Sequence, residues 1–234
     1  MTQISTPLQA SGILLVDKPA GVTSHDVVQV IRRRLGIRRI GHAGTLDPMA
    51  QGLLVVLVGS TTKTQQLLQG HDKVYEAVIR LGIKTDSADA YGNIIDTRAV
   101  PKLDRQAVEK CLESFKGVIA QTPPLFSAVK VQGHPAYWWA RRKQKVVLAS
   151  RNVQVHDITL LEMSADTLTL RVHCSSGTYI RTLAESIAEK LKTTGHLVLL
   201  IRRQSGRWHL RESKPLSWYA SASHSDILAC RLDL

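Results

Sequence analysis

The 234-residue sequence carries 31 basic against 19 acidic side chains, a formal charge of +12 and an isoelectric point near 9.9. Hydrophobic residues make up 44% of it, enough for a sizeable core, which excludes a disordered polyelectrolyte. A basic excess on an ordinary globular composition points to a polyanion, most simply nucleic acid, and no uninterrupted apolar run is long enough to suggest a membrane span.

The first residues, Met1 to Ser11, are polar and mixed, unlike a signal peptide, and the three cysteines are far apart with no CxxC pair. A cytoplasmic protein with reduced thiols is expected. No histidine spacing resembles HExxH, so no metal site is expected.

Gly12–Val16 reads as a strand ended by the turn Asp17-Lys18-Pro19-Ala20-Gly21. Lys18 there is either a phosphate contact or a solvated turn lysine. Ser24 is placed as the N-cap of a helix with Val27, Val28, Ile31 and Leu35 on one face. Arg32, Arg33, Arg34, Arg38 and Arg39 follow or close that helix, more cation than a helix C-terminus needs, and suit phosphate contacts. They lead into Gly41-His42-Ala43-Gly44-Thr45-Leu46-Asp47-Pro48, a glycine loop bearing one carboxylate before the apolar strand Leu53–Val58. Asp-Pro also begins many helices, but only Pro48–Gln51 could be helical before Gly52. Asp47 is therefore the candidate reactive carboxylate.

Downstream, Thr61–Gln69 reads as a short helix, Lys73–Gly82 as a strand, and Lys84–Asn93 as a polar loop whose aspartates lack the EF-hand calcium spacing. Tyr75 within the strand is either packed or a stacking platform. Leu103–Phe115 reads as an amphipathic helix with Asp104 at its start. Ala136–Arg142 reads as a helix whose Tyr137, Trp138 and Trp139 cannot all face one core. Arg141 to Lys145 forms a second basic cluster, either a solvated face or an RNA edge. Val153–Leu161 and Thr167–Cys174 suggest an antiparallel pair, and Ile180, Leu183, Ala184, Ile187, Ala188 and Leu191 form a helical core stripe. A cation at a helix N-terminus opposes the helix dipole, so Arg181 calls for an anionic partner, a phosphate or a carboxylate such as Asp47. The run Leu197–Ile201 leads into a third basic cluster, Arg202-Arg203. Phosphate-loop, GxSxG and GxGxxG patterns are absent.

Gly12–Val28, the Gly41–Pro48 loop, Lys73-Val74-Tyr75, Arg80-Leu81-Gly82 with Thr85-Asp86-Ser87-Ala88-Asp89, Ser127-Ala128-Val129-Lys130, Cys174–Arg181 and Arg202-Arg203 together resemble the TruB-type tRNA pseudouridine synthases. The likeness is collinear from about Ser11 to Gly206. It implies an α/β fold of the α+β type, with helices and loops flanking a mixed, largely antiparallel central sheet. It implies conversion of uridine to pseudouridine at uridine-55 in the T-loop of tRNA, without cofactor or metal. Asp47 would be the essential carboxylate, Tyr75 the base-stacking ring, Tyr179 the phenol near C5, Arg181 the partner of the aspartate, and His42 a holder of everted T-loop nucleotides. Lys18, Arg38, Arg39, Lys130, Arg141, Arg202 and Arg203 complete the expected RNA contacts, with the tRNA T-arm as partner of a monomer. Residues 1–206 would form the catalytic domain, and 207–234 a short extension in place of the PUA-type module of many relatives. Departures from the family pattern fall at Ala43, Gln51, Lys143, Ser176 and Ile201. A tRNA-folding chaperone, or a synthase acting on other T-loop-like hairpins, is the alternative.

Overall fold

The structure, a computed structural model, describes residues 11–142, 144 and 146–233. In chain order its elements begin with β1 (Gly12–Lys18), α1 (Ser24–Leu35), β2 (Ile40–His42), β3 (Gln51–Val58), α2 (Gln65–Gln69), β4 (Lys73–Leu81), β5 (Ile83–Thr85) and β6 (Ile94–Thr97). There follow α3 (Arg105–Glu113), β7 (Gly117–Gln121), β8 (Lys130–Val131), β9 (His134–Pro135), α4 (Ala136–Arg141), β10 (Arg151–Met163), β11 (Thr167–Cys174) and α5 (Ile180–Lys190). The last are β12 (Gly195–Ser205), β13 (Trp208–His209), β14 (Lys214–Pro215), α6 (Leu216–Ser221) and α7 (His224–Ala229). Helices flank a mixed sheet, the expected α/β class. No helix among the described residues is long and apolar enough to cross a membrane.

Two compact units divide the chain, one of residues 1–73 with 201–234, the other of residues 74–200. In the first, β1 pairs antiparallel with β3 along its whole length and parallel with β14, while β3 takes β2 antiparallel and the end of β12 parallel. Ile13, Leu15, Ala43, Leu53, Val55, Leu57, Leu68 and Trp208 form its apolar centre. The β3 run is buried almost throughout, so it reads as continuous apolar sequence rather than as alternation. The C-terminal stretch is part of this unit: Leu232 bridges Ile13, and the Tyr219 hydroxyl donates to the Leu15 carbonyl at 3.0 Å.

In the second unit the strand order is β4, β11, β10, β7, with β10 antiparallel to both its neighbours. β4 alternates buried and half-buried along its length, as its sequence pattern requires. The α5 stripe Ile180, Leu183, Ala184, Ile187 and Ala188 is buried as expected.

Three local expectations change. Thr23, not Ser24, caps α1, because Asp26 completes a reciprocal capping box with it; Ser24 becomes the first helical residue. The segment before Gly70 begins as a 3-10 turn, Gly59–Thr64, and only Gln65–Gln69 is α-helical. The polar stretch 84–93 is flanked by a small hairpin, with β5 and β6 paired antiparallel.

Candidate active site

Asp47 sits in the first unit on a loop whose backbone is tied down on both sides. Leu46, Met49 and Ala50 are buried in the core, leaving Asp47 partly exposed between them. The Ser24 hydroxyl accepts from the Leu46 N–H at 2.9 Å and lies 3.2 Å from the Leu46 carbonyl, to which it donates. The Arg202 guanidinium, 1% exposed, donates from Nε to the Leu53 carbonyl at 2.7 Å and from Nη2 to that of Gly44 at 3.1 Å, with Nη1 at 3.5 Å from Thr45 O. Lys18, fully buried, donates to the carbonyls of Pro19, Val22 and Pro48. The Gly21 N–H reaches the same Pro48 carbonyl, and the Ala50 N–H closes a turn on the carbonyl of Asp47. Gly52, at φ +97°, is required: a Cβ there would stand 2.5 Å from the Arg202 carbonyl across the parallel pairing.

The charges on this loop follow from burial. Desolvation pulls the Lys18 ammonium down to about 8; the Asp47 carboxylate opposes that shift and the Arg202 guanidinium adds to it. The His42 imidazole falls to about 4, first through burial, then through the charges of Arg202 and His25. His42 is therefore neutral near pH 7. Its Nδ1 is buried with no hydrogen-bond partner among the described residues.

In the second unit, Arg181 occupies the first turn of α5 and is 3% exposed. Its Nη1 donates to Ser87 O at 3.0 Å, its Nη2 to Phe126 O at 2.9 Å, and its Nε lies 3.9 Å from the Asp89 carboxylate. Asp89 is itself held, accepting from the Ser87 hydroxyl at 2.6 Å and the Tyr91 N–H at 3.0 Å. Between them Ala88 adopts φ +61°, a conformation a non-glycine residue rarely takes, which turns Ser87 O and Asp89 to the same guanidinium. Tyr179 stands just before the same helix, at its N-cap position, and the Gln121 side-chain amide grips it twice, accepting from its N–H at 2.7 Å and donating to its carbonyl at 3.0 Å. Arg151 lies over the Tyr179 ring at 5.0 Å. Tyr75, on β4, is 9% exposed.

The expected RNA contacts divide by burial. Arg38, Arg39, Lys130, Arg141 and Arg203 are exposed, and Arg39 Nε also donates to Thr62 Oγ1 at 2.6 Å. Lys18 and Arg202 are not surface groups: both are buried and bound to backbone carbonyls. The third cluster misleads because a run of adjacent basic letters does not show that Arg202 and Arg203 point to opposite faces of one strand. In the second cluster Trp138 stacks on His134 at 4.2 Å with Arg142 3.6 Å above it, while Trp139 Nε1 donates to Val131 O. Lys143 and Lys145 lie outside the described residues. Sequence reasoning misses Asp89, Gln121 and Arg151, and the part Ser24 plays on the loop; each acts on another functional side chain or its backbone. Nor can it show that His156 and His173, on β10 and β11, bring two imidazoles to 4.6 Å, donor chemistry suited to a transition-metal ion.

The model of the TruB family pseudouridylate synthase N-terminal domain matches residues 32–180. The chain belongs to this family. Among its TruB relatives, the tRNA pseudouridine synthase B of Coxiella burnetii is 43% identical over 198 residues, which is 85% of this chain and 64% of that one. The protein of the same name in Heliobacterium modesticaldum is 45% identical over 90% of this chain and 70% of its own length. In solved structures, a chain of a Cbf5–Nop10–Gar1 complex aligns with TM-score 0.73 at 27% identity, covering 95% of this chain and 60% of that one. An H/ACA ribonucleoprotein bound to a substrate RNA containing 2′-deoxyuridine aligns with TM-score 0.67 at 26% identity, over 89% and 52%. The chain thus spans about half to three quarters of the lengths of the proteins it resembles.

Proposed function

We propose that this TruB-family chain isomerises uridine to pseudouridine in tRNA, at uridine-55 of the T-loop, with Asp47 as the catalytic carboxylate. The observation that carries the reading is the Asp47 loop itself: one partly exposed carboxylate on a backbone bound by Ser24, Lys18 and Arg202. A surface that only binds RNA has no use for a carboxylate facing a polyanion, still less one held this firmly.

The reaction breaks the N–C glycosidic bond, turns the base, and joins C5 to C1′. A carboxylate serves this either by trapping C1′ covalently or by assisting loss of the C2′ proton. Tyr75 holds the detached base by stacking, and the Tyr179 phenol, on a helix start gripped by Gln121, relays the C5 proton. Arg181 provides the counter-charge for the aspartate. The uridine must leave its stack to react, and neutral His42 suits contact with everted nucleotides better than a cation would. Exposed Arg38, Arg39, Lys130, Arg141 and Arg203 meet phosphates of the T-arm. No step requires a metal or an organic cofactor, and a monomer in the cytoplasm suffices.

The test is incubation with an unmodified tRNA transcript, with chemical mapping of pseudouridine. Conversion at the T-loop uridine, lost in Asp47→Asn, is expected. Conversion at another uridine would keep the chemistry and overturn the substrate, and tight tRNA binding without conversion would favour a folding chaperone.

A further inference from the structure

We infer that Ser24 is a positioning residue for the Asp47 carboxylate, an inference that rests on the proposed isomerase reading. A serine at the first position of a helix ordinarily faces solvent or caps the free N–H groups. Here Thr23 and Asp26 already satisfy that end of α1, with Thr23 Oγ1 accepting from Asp26 N–H at 3.1 Å and Thr23 N–H donating to Asp26 Oδ2 at 2.8 Å. Ser24 is thereby released from capping. It is 2% exposed, and its hydroxyl is spent entirely on Leu46, accepting at 2.9 Å and donating at 3.2 Å.

Leu46 immediately precedes the carboxylate. Its N–H and C=O belong to two successive peptide planes, and one hydroxyl bonded to both fixes their relative rotation. The second plane is the peptide that enters Asp47, so its orientation sets the direction of the Asp47 Cα–Cβ bond. Arg202 fixes Gly44 and Thr45 just upstream, and Lys18 with Gly21 fixes Pro48 just downstream. Without Ser24, the peptide that enters the reacting residue loses its anchor, while the one that leaves it is still held through the Asp47 carbonyl by the Ala50 N–H. A nucleophile displaced by about 1 Å loses on the order of 100-fold in rate.

The test compares Ser24→Ala with Thr23→Ala in the full chain. Thr23→Ala removes the helix cap next door, so it reproduces loss of stability at this helix end without touching Leu46. With unmodified tRNA transcript under single-turnover conditions, Ser24→Ala is expected to lower the rate of pseudouridine formation by about 10- to 100-fold with tRNA affinity unchanged. Thr23→Ala is expected to lower the denaturation midpoint while keeping the rate. A Ser24→Ala enzyme at the wild-type rate, or equal rate losses in the two variants, overturns the inference. Amide hydrogen exchange at Leu46 and Asp47 gives an arm free of activity: Ser24→Ala speeds it and Thr23→Ala does not. Unchanged exchange in Ser24→Ala likewise overturns the inference. Wild-type protein that makes no pseudouridine, with exchange still accelerated by Ser24→Ala, would instead sink the isomerase reading and leave the clamp standing.

Discussion

Two arginines are almost wholly buried, and they are neutralised in different ways. Arg202, in the first unit, gives its hydrogen bonds to three backbone carbonyls, and no ion pair to it is formed among the described residues. Arg181, in the second, binds two carbonyls and also lies beside the Asp89 carboxylate. Carbonyl dipoles offset a buried cation only in part, and they hold the backbone that carries them in return. A carboxylate neighbour offsets the charge as well, and it aims the guanidinium. Arg202 thereby holds the Asp47 loop, whereas Arg181 is held and aimed within the second unit, and its part in the chemistry is the proposed one.

Removing the two side chains should therefore separate stability from rate. Arg202→Met takes the guanidinium away from the carbonyls of Leu53, which is fully buried, Gly44, which is half-buried, and Thr45, which is exposed. A loss of about 1–3 kcal/mol is expected in urea denaturation, the cost of one buried group left unpaired. Arg181→Met should lower single-turnover conversion more than it lowers stability. Similar stability losses with equal residual rates would erase the distinction. Asp89→Asn tests the counter-charge from the other side: shape is kept, the charge beside Arg181 goes, and a rate loss of about 10-fold is expected together with a lower denaturation midpoint, because the buried guanidinium is left under-compensated.

The first unit, with its dry cation, also carries an acid-sensitive group. Folding holds His42 at about 4, whereas the unfolded imidazole titrates near 6.5. Between those values the unfolded chain binds a proton that the folded chain refuses. The stability is therefore complete above about pH 6.5 and drains away as the pH falls towards 4, by up to about 3 kcal/mol. Denaturation midpoints of wild type and His42→Gln, compared across that window, should converge as the pH falls. Parallel curves would mean that the imidazole is protonated in the folded protein.

Legibility in the sequence follows what periodicity can and cannot carry. The α1 face, the β3 run and the α5 stripe are readable because each is a local repeat of apolar letters. Asp47 stands out because its Asp-Pro pair, a common helix start, has almost no room for a helix before Gly52. Ser24 reads as a cap because Thr23 and Ser24 are nearly interchangeable by propensity, and only the Asp26 side chain decides between them. Asp89 is hidden because its service to Arg181 joins two distant parts of the chain. Lys18 and Arg202 read as surface groups because burial of a cation has no signature in a letter string; it depends on carbonyls brought from elsewhere in the fold.

Exposed cations set the lower end of the scale. Arg38 and Arg39 follow α1 on the surface, where Arg39 also bonds to Thr62. An exposed guanidinium facing a phosphate acts through release of counterions, so its share of binding fades with added salt. Arg38→Ala should weaken tRNA binding severalfold at low ionic strength and flatten the plot of log affinity against log salt by ~0.7–0.9, the share of a single phosphate. Stability and single-turnover rate at saturating tRNA should stay at wild-type values. An unchanged salt slope would remove Arg38 from the RNA face, whereas a fall in the saturated rate would show that this exposed arginine acts beyond binding.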